Sequence, residues 1–355
     1  MNLPRNAQLW LPGYLKSLTA AKPPSPARVW VLIADHFEPF CKPANDVDAH
    51  NRVRAWRQKW PAITRRHGDS SGNPPSYTFF YPEEEYRPHL LDSLAEMTEE
   101  GIADVEVHLH HDGEGEQNFV DRISGFTEAL FARHGLLRKY NGKIAFGFIH
   151  GNWALDNSLP SRRWCGLNNE ITLLRDLGCY ADFTLPSAPS PAQTRMINTI
   201  YWANDDPSRP KSHDTGVPVR AGDTSSGDLL MIPGPLALNW SSRKFGLLPR
   251  LETGELAASN PVTRERVRIW LQYAPRIANN LFIKLFAHGA RENNSLQLLE
   301  RDLDLTFQLL RDECARLGSS LHYVTAWKMR NAIESARSHR ELAHSSDLVH
   351  EAVSR

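Results

Sequence analysis

Cysteine is scarce in this chain. Cys41, Cys165, Cys179 and Cys314 stand far apart among 355 residues, in no spacing that suits a disulfide framework or a cysteine zinc site, so reduced thiols are expected. Long hydrophobic runs are missing too: no window approaches the roughly 18 apolar residues of a membrane span, which predicts no stable membrane insertion. The first twelve residues carry Pro4 and Pro12 and lack the apolar run of a secretory signal, so a cytoplasmic location is expected. An excess of charge is also absent, because 41 basic residues balance 41 acidic ones. That balance argues against an electrostatically driven nucleic-acid binder and for a neutral or small-molecule partner. The sequence has no internal repeat and no signal that fixes an oligomeric state.

What is present is a rhythm. Arg28 to Ala34, Tyr77 to Tyr81, Asp104 to Leu109, Lys143 to Ile149, Cys179 to Thr184, Leu229 to Ile232, Leu281 to Ala287 and Leu321 to Thr325 read as strands. Several are near-continuous apolar runs of the kind buried on both faces. Between them, helical patterns are expected over 47–67 (kinked or divided by Pro61), Leu90 to Met97, 119–134, 168–177, 261–277, 295–317 and 327–341. Strand, polar loop and amphipathic helix repeat seven or eight times, which predicts one α/β domain over 27–341 with a mostly parallel sheet. Residues 1–26 read as an N-terminal extension ending in a proline-rich connection, and 342–355 as a polar tail. A (β/α) barrel is favoured over an open sheet, because strand ends would then meet on one face.

Those strand ends carry the chemistry. The first stops at Asp35-His36 with Glu38 beyond, the third at His108-Leu-His110-His111, the fourth at His150 with Asn152, Trp153, Asp156 and Asn157, and a late one at His288. In a strand, side chains two apart share a face, so His108 and His110 point the same way, while His111 belongs with them only if the strand breaks early. Imidazoles beside carboxylates suit a divalent cation, zinc first, with nickel or cobalt as alternatives. Asp35 follows six apolar residues, and a carboxylate there must be paired, hydrogen-bonded or metal-bound. Singly each feature has a plainer account: His288 as a strand cap, Glu38 as a surface acid, Trp153 as packing. Their joint occurrence at successive strand ends favours a site.

In order and placement these motifs resemble the polysaccharide deacetylase superfamily, over about residues 28 to 335. The marks are Val-Leu-Ile-Ala-Asp35-His36, Val-His108-Leu-His110-His111 and Lys-Leu-Phe-Ala-His288-Gly. The family has a second aspartate where His36 stands, spaces its two histidines so that Asp112 falls on the second, and offers an arginine where this chain reads His150-Gly-Asn152-Trp153. The resemblance implies a distorted (β/α) barrel and a hydrolase that removes an acyl group, N-acetyl first, from a carbohydrate or sugar-linked substrate. It implies Asp35 as general base, His288 as general acid and His36 as a metal ligand, completed by His108 with His110 or His111. Glu38, His150, Asn152, Trp153, Asp156 and Asn157 are the expected substrate-binding residues. Two rival readings are a glycoside hydrolase using carboxylates such as Asp35 and Asp182, which predicts no metal, and a non-catalytic carbohydrate-binding protein with an altered site.

Overall fold

The strand Arg28–His36 is the axis of the molecule, and Val29, Trp30, Val31, Leu32, Ile33 and Ala34 are all buried in it. In the computed structural model, which describes residues 3–19, 25–42, 44–244 and 246–338, it pairs in parallel with Asn280–Ala287 from Arg28 to Asp35. Ser320–Tyr323 pairs with its beginning and Tyr77–Pro82 with its end, both in parallel. The sheet continues in parallel through Ala103–Leu109, Lys143–His150, Cys179–Asp182 and Leu229–Met231, then antiparallel through Tyr201–Ala203 to Val217–Pro218. On the far side of Asn280–Ala287 lies Glu255–Leu256, giving a 13-stranded, mostly parallel sheet in a mixed α/β fold. Among the described residues no pairing joins its two outer strands. The two flanks nevertheless approach: Lys284 Nζ donates to Leu185 O at 2.8 Å, and a Cβ on Gly234 would lie 2.5 Å from Lys284 O.

Strand alternation divides the core. Val29, Val31 and Ile33, with Phe79, Val105, Val107, Phe146 and Phe148, pack against Val53, Trp56, Leu90, Leu94, Phe119 and Phe307 of the surrounding helices. Trp30, Leu32 and Ala34 face the other way and meet Met329, Ala332 and Ile333 of the helix Ala326–Arg337. The sheet thus has a face covered by several helices and an opposite face that carries the last helix. None of the helices is long and apolar enough to cross a membrane, among the described residues.

Several boundaries differ from the sequence reading. The helix Asp46–Thr64 starts at a reciprocal cap between Asn45 and Asp48 and runs through Pro61 undivided, because that proline falls in its last turn. The helix expected over 261–277 is only Arg264–Tyr273: Pro275 forces Ala274 to an extended ψ of 151°, and Arg276–Ile277 forms a short strand instead. The helix expected over 295–317 is Glu292–Gln297 and Leu303–Leu317 joined through a π turn at Leu298–Asp302. The hairpin Ala237–Lys244 with Leu248–Glu252 was not expected. Nor was the helix Ala7–Thr19, whose Trp10 and Tyr14 are buried with Ile197, Leu236 and Ile269. The polar tail 342–355 and residues 21–24 of the proline-rich connection lie outside the described residues.

Candidate metal centre

His36 ends the strand Arg28–His36, His108 is the penultimate residue of Ala103–Leu109, and His288 follows Asn280–Ala287. All three continue the alternation that points away from the helix-covered face. They meet there: the His36 and His288 rings stack with centroids 4.8 Å apart, and His36 and His108 meet edge to face at 5.2 Å. Glu38 reaches back into the group, with Oε1 3.5 Å from His108 Nε2 and 3.6 Å from His110 Nε2. Ligand-capable atoms of His36, Glu38 and His288 lie within 4.8 Å of one another, as do those of Glu38, His108 and His110.

Outer contacts fix how the rings present themselves. His108 Nδ1 lies 2.7 Å from the Ile149 carbonyl, which only accepts, so Nδ1 carries the hydrogen and Nε2 turns its lone pair inward. His110 Nδ1 lies 2.5 Å from Glu84 Oε1, the carboxylate-histidine arrangement that orients metal-binding or proton-moving imidazoles. His36 Nε2, His108 Nε2 and His288 Nδ1 are buried and form no hydrogen bond. Orphaned lone pairs in a dry site are costly, and a cation would satisfy them, so the donor set fits a divalent transition metal. Burial, reinforced by His288 and His108, holds His36 well below the ordinary imidazole range, and burial takes His288 down to about 4. For Glu38 burial acts upward, but the close imidazoles of His108, His288 and His110 outweigh it and bring the carboxyl to about 2. Burial also opposes protonation of His110, yet Glu84 prevails and raises it.

Asp35 stands apart from this group. As the neighbour of His36 in an extended strand it points to the helix-covered face, where Oδ1 accepts from Gly289 N at 2.7 Å and Oδ2 from the Tyr77 hydroxyl at 3.0 Å. Burial pushes it up to about 7. Trp56 Nε1 donates to Gly289 O at 2.9 Å, and a Cβ on Gly289 would strike Asp35 Oδ2 and come within 2.6 Å of Trp56 Cζ2. Asp35 therefore fixes the turn that presents His288.

The other expected residues also separate. His111 continues the alternation of Val107 and Leu109 and so lies on the side opposite His110, where it meets His150, Cys165 and Glu170 in a second buried group. Burial lowers His150 to about 4, and in Glu170 the effect of burial is outweighed by His150 and His111, which bring it to about 2. Asp156 and Asn157 brace the loop around that second group instead of facing Glu38: Asp156 Oδ2 accepts from Ser212 N at 2.6 Å, and Asn157 bonds Asn168 and Gly166. Asn152 and Trp153 take left-handed φ of 54° and 58°, and the Trp153 ring lies 6.4 Å from His36. Asp182 is held by Thr184.

Three contributors escaped the sequence reading. Glu84 sits in the run Glu83-Glu84-Glu85, where nothing distinguishes it from its neighbours. Cys165 and Glu170 stand 54 and 59 residues from His111 with no regular spacing, although Glu170 opens the helix Glu170–Leu177, and a carboxylate at a helix start was open to notice. No family model matches the sequence, and no curated protein matches it.

Proposed function

We propose that this chain is a metal-dependent hydrolase that removes an acyl group, with the N-acetyl group of a carbohydrate or sugar-linked compound as the preferred substrate. The reading rests on three buried imidazole nitrogens without hydrogen-bond partners gathered about the Glu38 carboxylate. It agrees with the resemblance of the strand-end motifs to polysaccharide deacetylases. The approach of Lys284 to Leu185 and Gly234 supports a sheet curled into the distorted (β/α) barrel that the resemblance implies.

His36, His108, His288 and Glu38 would hold the cation. A bound divalent cation supplies a Lewis acid and lowers the pKa of water toward neutrality. His110, with about a third of its side chain exposed, is the accessible member, and Glu84 holds it in the tautomer that leaves Nε2 facing the group. At Nε2 it takes the proton of the attacking water and returns it to the departing amine as the carbon–nitrogen bond breaks. Asp35 acts through Gly289 to position His288, in place of the general-base role that the resemblance implies. Trp153 and Phe286 flank His36 and limit the access of other water.

The test is to load the purified protein with zinc, cobalt or nickel and follow acetate release from N-acetylated sugars. Glu38→Gln is expected to lower both cation retention and turnover by at least about 100-fold, since losing even an outer partner of a ligand costs about 10- to 100-fold. Wild-type protein that holds a cation at this group and releases no acetate, or unchanged retention in Glu38→Gln, would sink the reading.

A further inference from the structure

The second group lies on the helix-covered side of the same strand ends. His150 is the last residue of Lys143–His150, His111 follows Ala103–Leu109, Cys165 lies in the connecting loop, and Glu170 opens the helix Glu170–Leu177. All four are buried, three of them completely. Glu170 Oε1 is 3.1 Å from His111 Nε2 and 3.4 Å from His150 Nε2, and Glu170 Oε2 is 3.3 Å from Cys165 Sγ. Four ligands held tetrahedrally at about 2.0 to 2.3 Å from zinc stand roughly 3.3 to 3.7 Å from each other. The three contacts of Glu170 lie close to that spacing, and one ligand atom from each of the four residues lies within 4.8 Å of all the others.

Two further observations point to a cation and not to a self-sufficient hydrogen-bond network. His150 Nδ1 lies 2.5 Å from the Gly151 carbonyl and must donate there, so its buried Nε2 presents a lone pair, unpartnered, to the anionic face of Glu170. Two lone pairs facing one another in a dry site repel unless a cation lies between them. The Cys165 sulfur, meanwhile, accepts backbone N–H groups from Asn157 at 3.3 Å and Leu167 at 3.4 Å while its thiol hydrogen is directed at Glu170 Oε2, so loss of that proton would turn an accepting sulfur toward the same point as His150 Nε2.

We propose that His111, His150, Cys165 and Glu170 form a second, structural metal site that takes zinc with four protein ligands. Closed coordination of this kind leaves no position for substrate, which separates it from the Glu38 group, where His110 is open to solvent. Binding displaces the thiol proton of Cys165 to solvent. The site pins the 151–169 loop, with left-handed Asn152, Trp153, Asp156, Asn157, Arg162 and Trp164, to two strand ends and a helix start. It therefore holds Trp153 beside the first group.

The experiment titrates Co2+ alone into the full chain after removal of bound metals under reducing conditions. A thiolate-to-cobalt charge-transfer absorption in the near ultraviolet is expected, saturating by two equivalents, the total for the two groups. It should vanish in Cys165→Ser and persist in Glu38→Gln, which removes a ligand of the first group and touches none of the second. X-ray absorption of the cobalt-loaded wild type should show one sulfur at about 2.3 Å; that readout stands even if Cys165→Ser does not fold. No charge-transfer band in the wild type, a band that survives Cys165→Ser, or a cobalt shell without sulfur overturns the proposal. None of these outcomes depends on acetate release.

Discussion

Replacing Asp35 separates two roles that its position at a strand end leaves confounded. Its carboxyl accepts from Gly289 N and from the Tyr77 hydroxyl in a fully buried setting. Asp35→Ala would leave both donors unsatisfied, at about 1 to 3 kcal/mol each, for a loss of roughly 2 to 6 kcal/mol. That is a large part of the 5 to 15 kcal/mol that typical domains possess. Asp35→Asn keeps a carbonyl oxygen for Gly289 and sets an amide against Tyr77, so His288 stays in place. The carboxyl rises from 3.8 to about 7, which corresponds to roughly 4 kcal/mol against its ionised form. The folded chain therefore keeps a proton that the unfolded chain releases between these values, and wild-type stability falls as pH rises through that window. Asp35→Asn lacks this fall: any deficit near about pH 4 should shrink or reverse above about pH 7. Urea unfolding across pH with chelator present measures this, and zinc competition measures the site. Turnover follows acetate release from an N-acetylated sugar. A positioning role predicts that Asp35→Asn retains cation affinity and most of its turnover. Loss of turnover with cation binding intact would refute the positioning argument and restore the general base.

Glu84→Gln should reduce kcat by roughly 10- to 100-fold through loss of the charged orienting partner of His110, with cation affinity changed much less. Equal effects on both would make His110 a ligand in place of a proton carrier. For Asp182, burial pushes the carboxyl from 3.8 up to about 7, so it too contributes a fall in stability as pH rises through that interval. Asp182→Asn should flatten this part of the profile in urea unfolding, and an unchanged slope would show that Asp182 ionises freely.

The strands were legible because apolar runs such as Val29 to Ala34 admit few other structures, and their polar ends marked the site region. His108 and His110 share a face as period-two alternation requires. The same rule separates Asp35 from His36, and a resemblance of motif order and placement put both in one mechanism. Glu38 read as a substrate-binding residue and not as a member of the imidazole group, because its return toward His108 depends on the loop path after the strand. The grouping of Cys165 and Glu170 with two histidines was illegible for a different reason: those partners come from strand ends brought side by side by the parallel pairing of Val107, His108 and Leu109 with Phe148, Ile149 and His150. Sequence spacing cannot express that neighbourhood. Local signals also misled at 261–277, where apolar periodicity continued past the point at which Pro275 stopped the helix.

The divergence of His110 and His111 has a consequence for how this chain can vary. One peptide bond joins a residue of the Glu38 group to a residue of the Glu170 group, on opposite sides of the backbone. Lengthening the 151–169 loop would alter only one cluster. Inserting or deleting a single residue between His108 and His111 would reverse which imidazole faces which side, and would misassign both clusters at once. Changes of length tolerated singly in loops are forbidden here in odd numbers, a constraint on this tetrapeptide additional to the chemistry that its three imidazoles already impose.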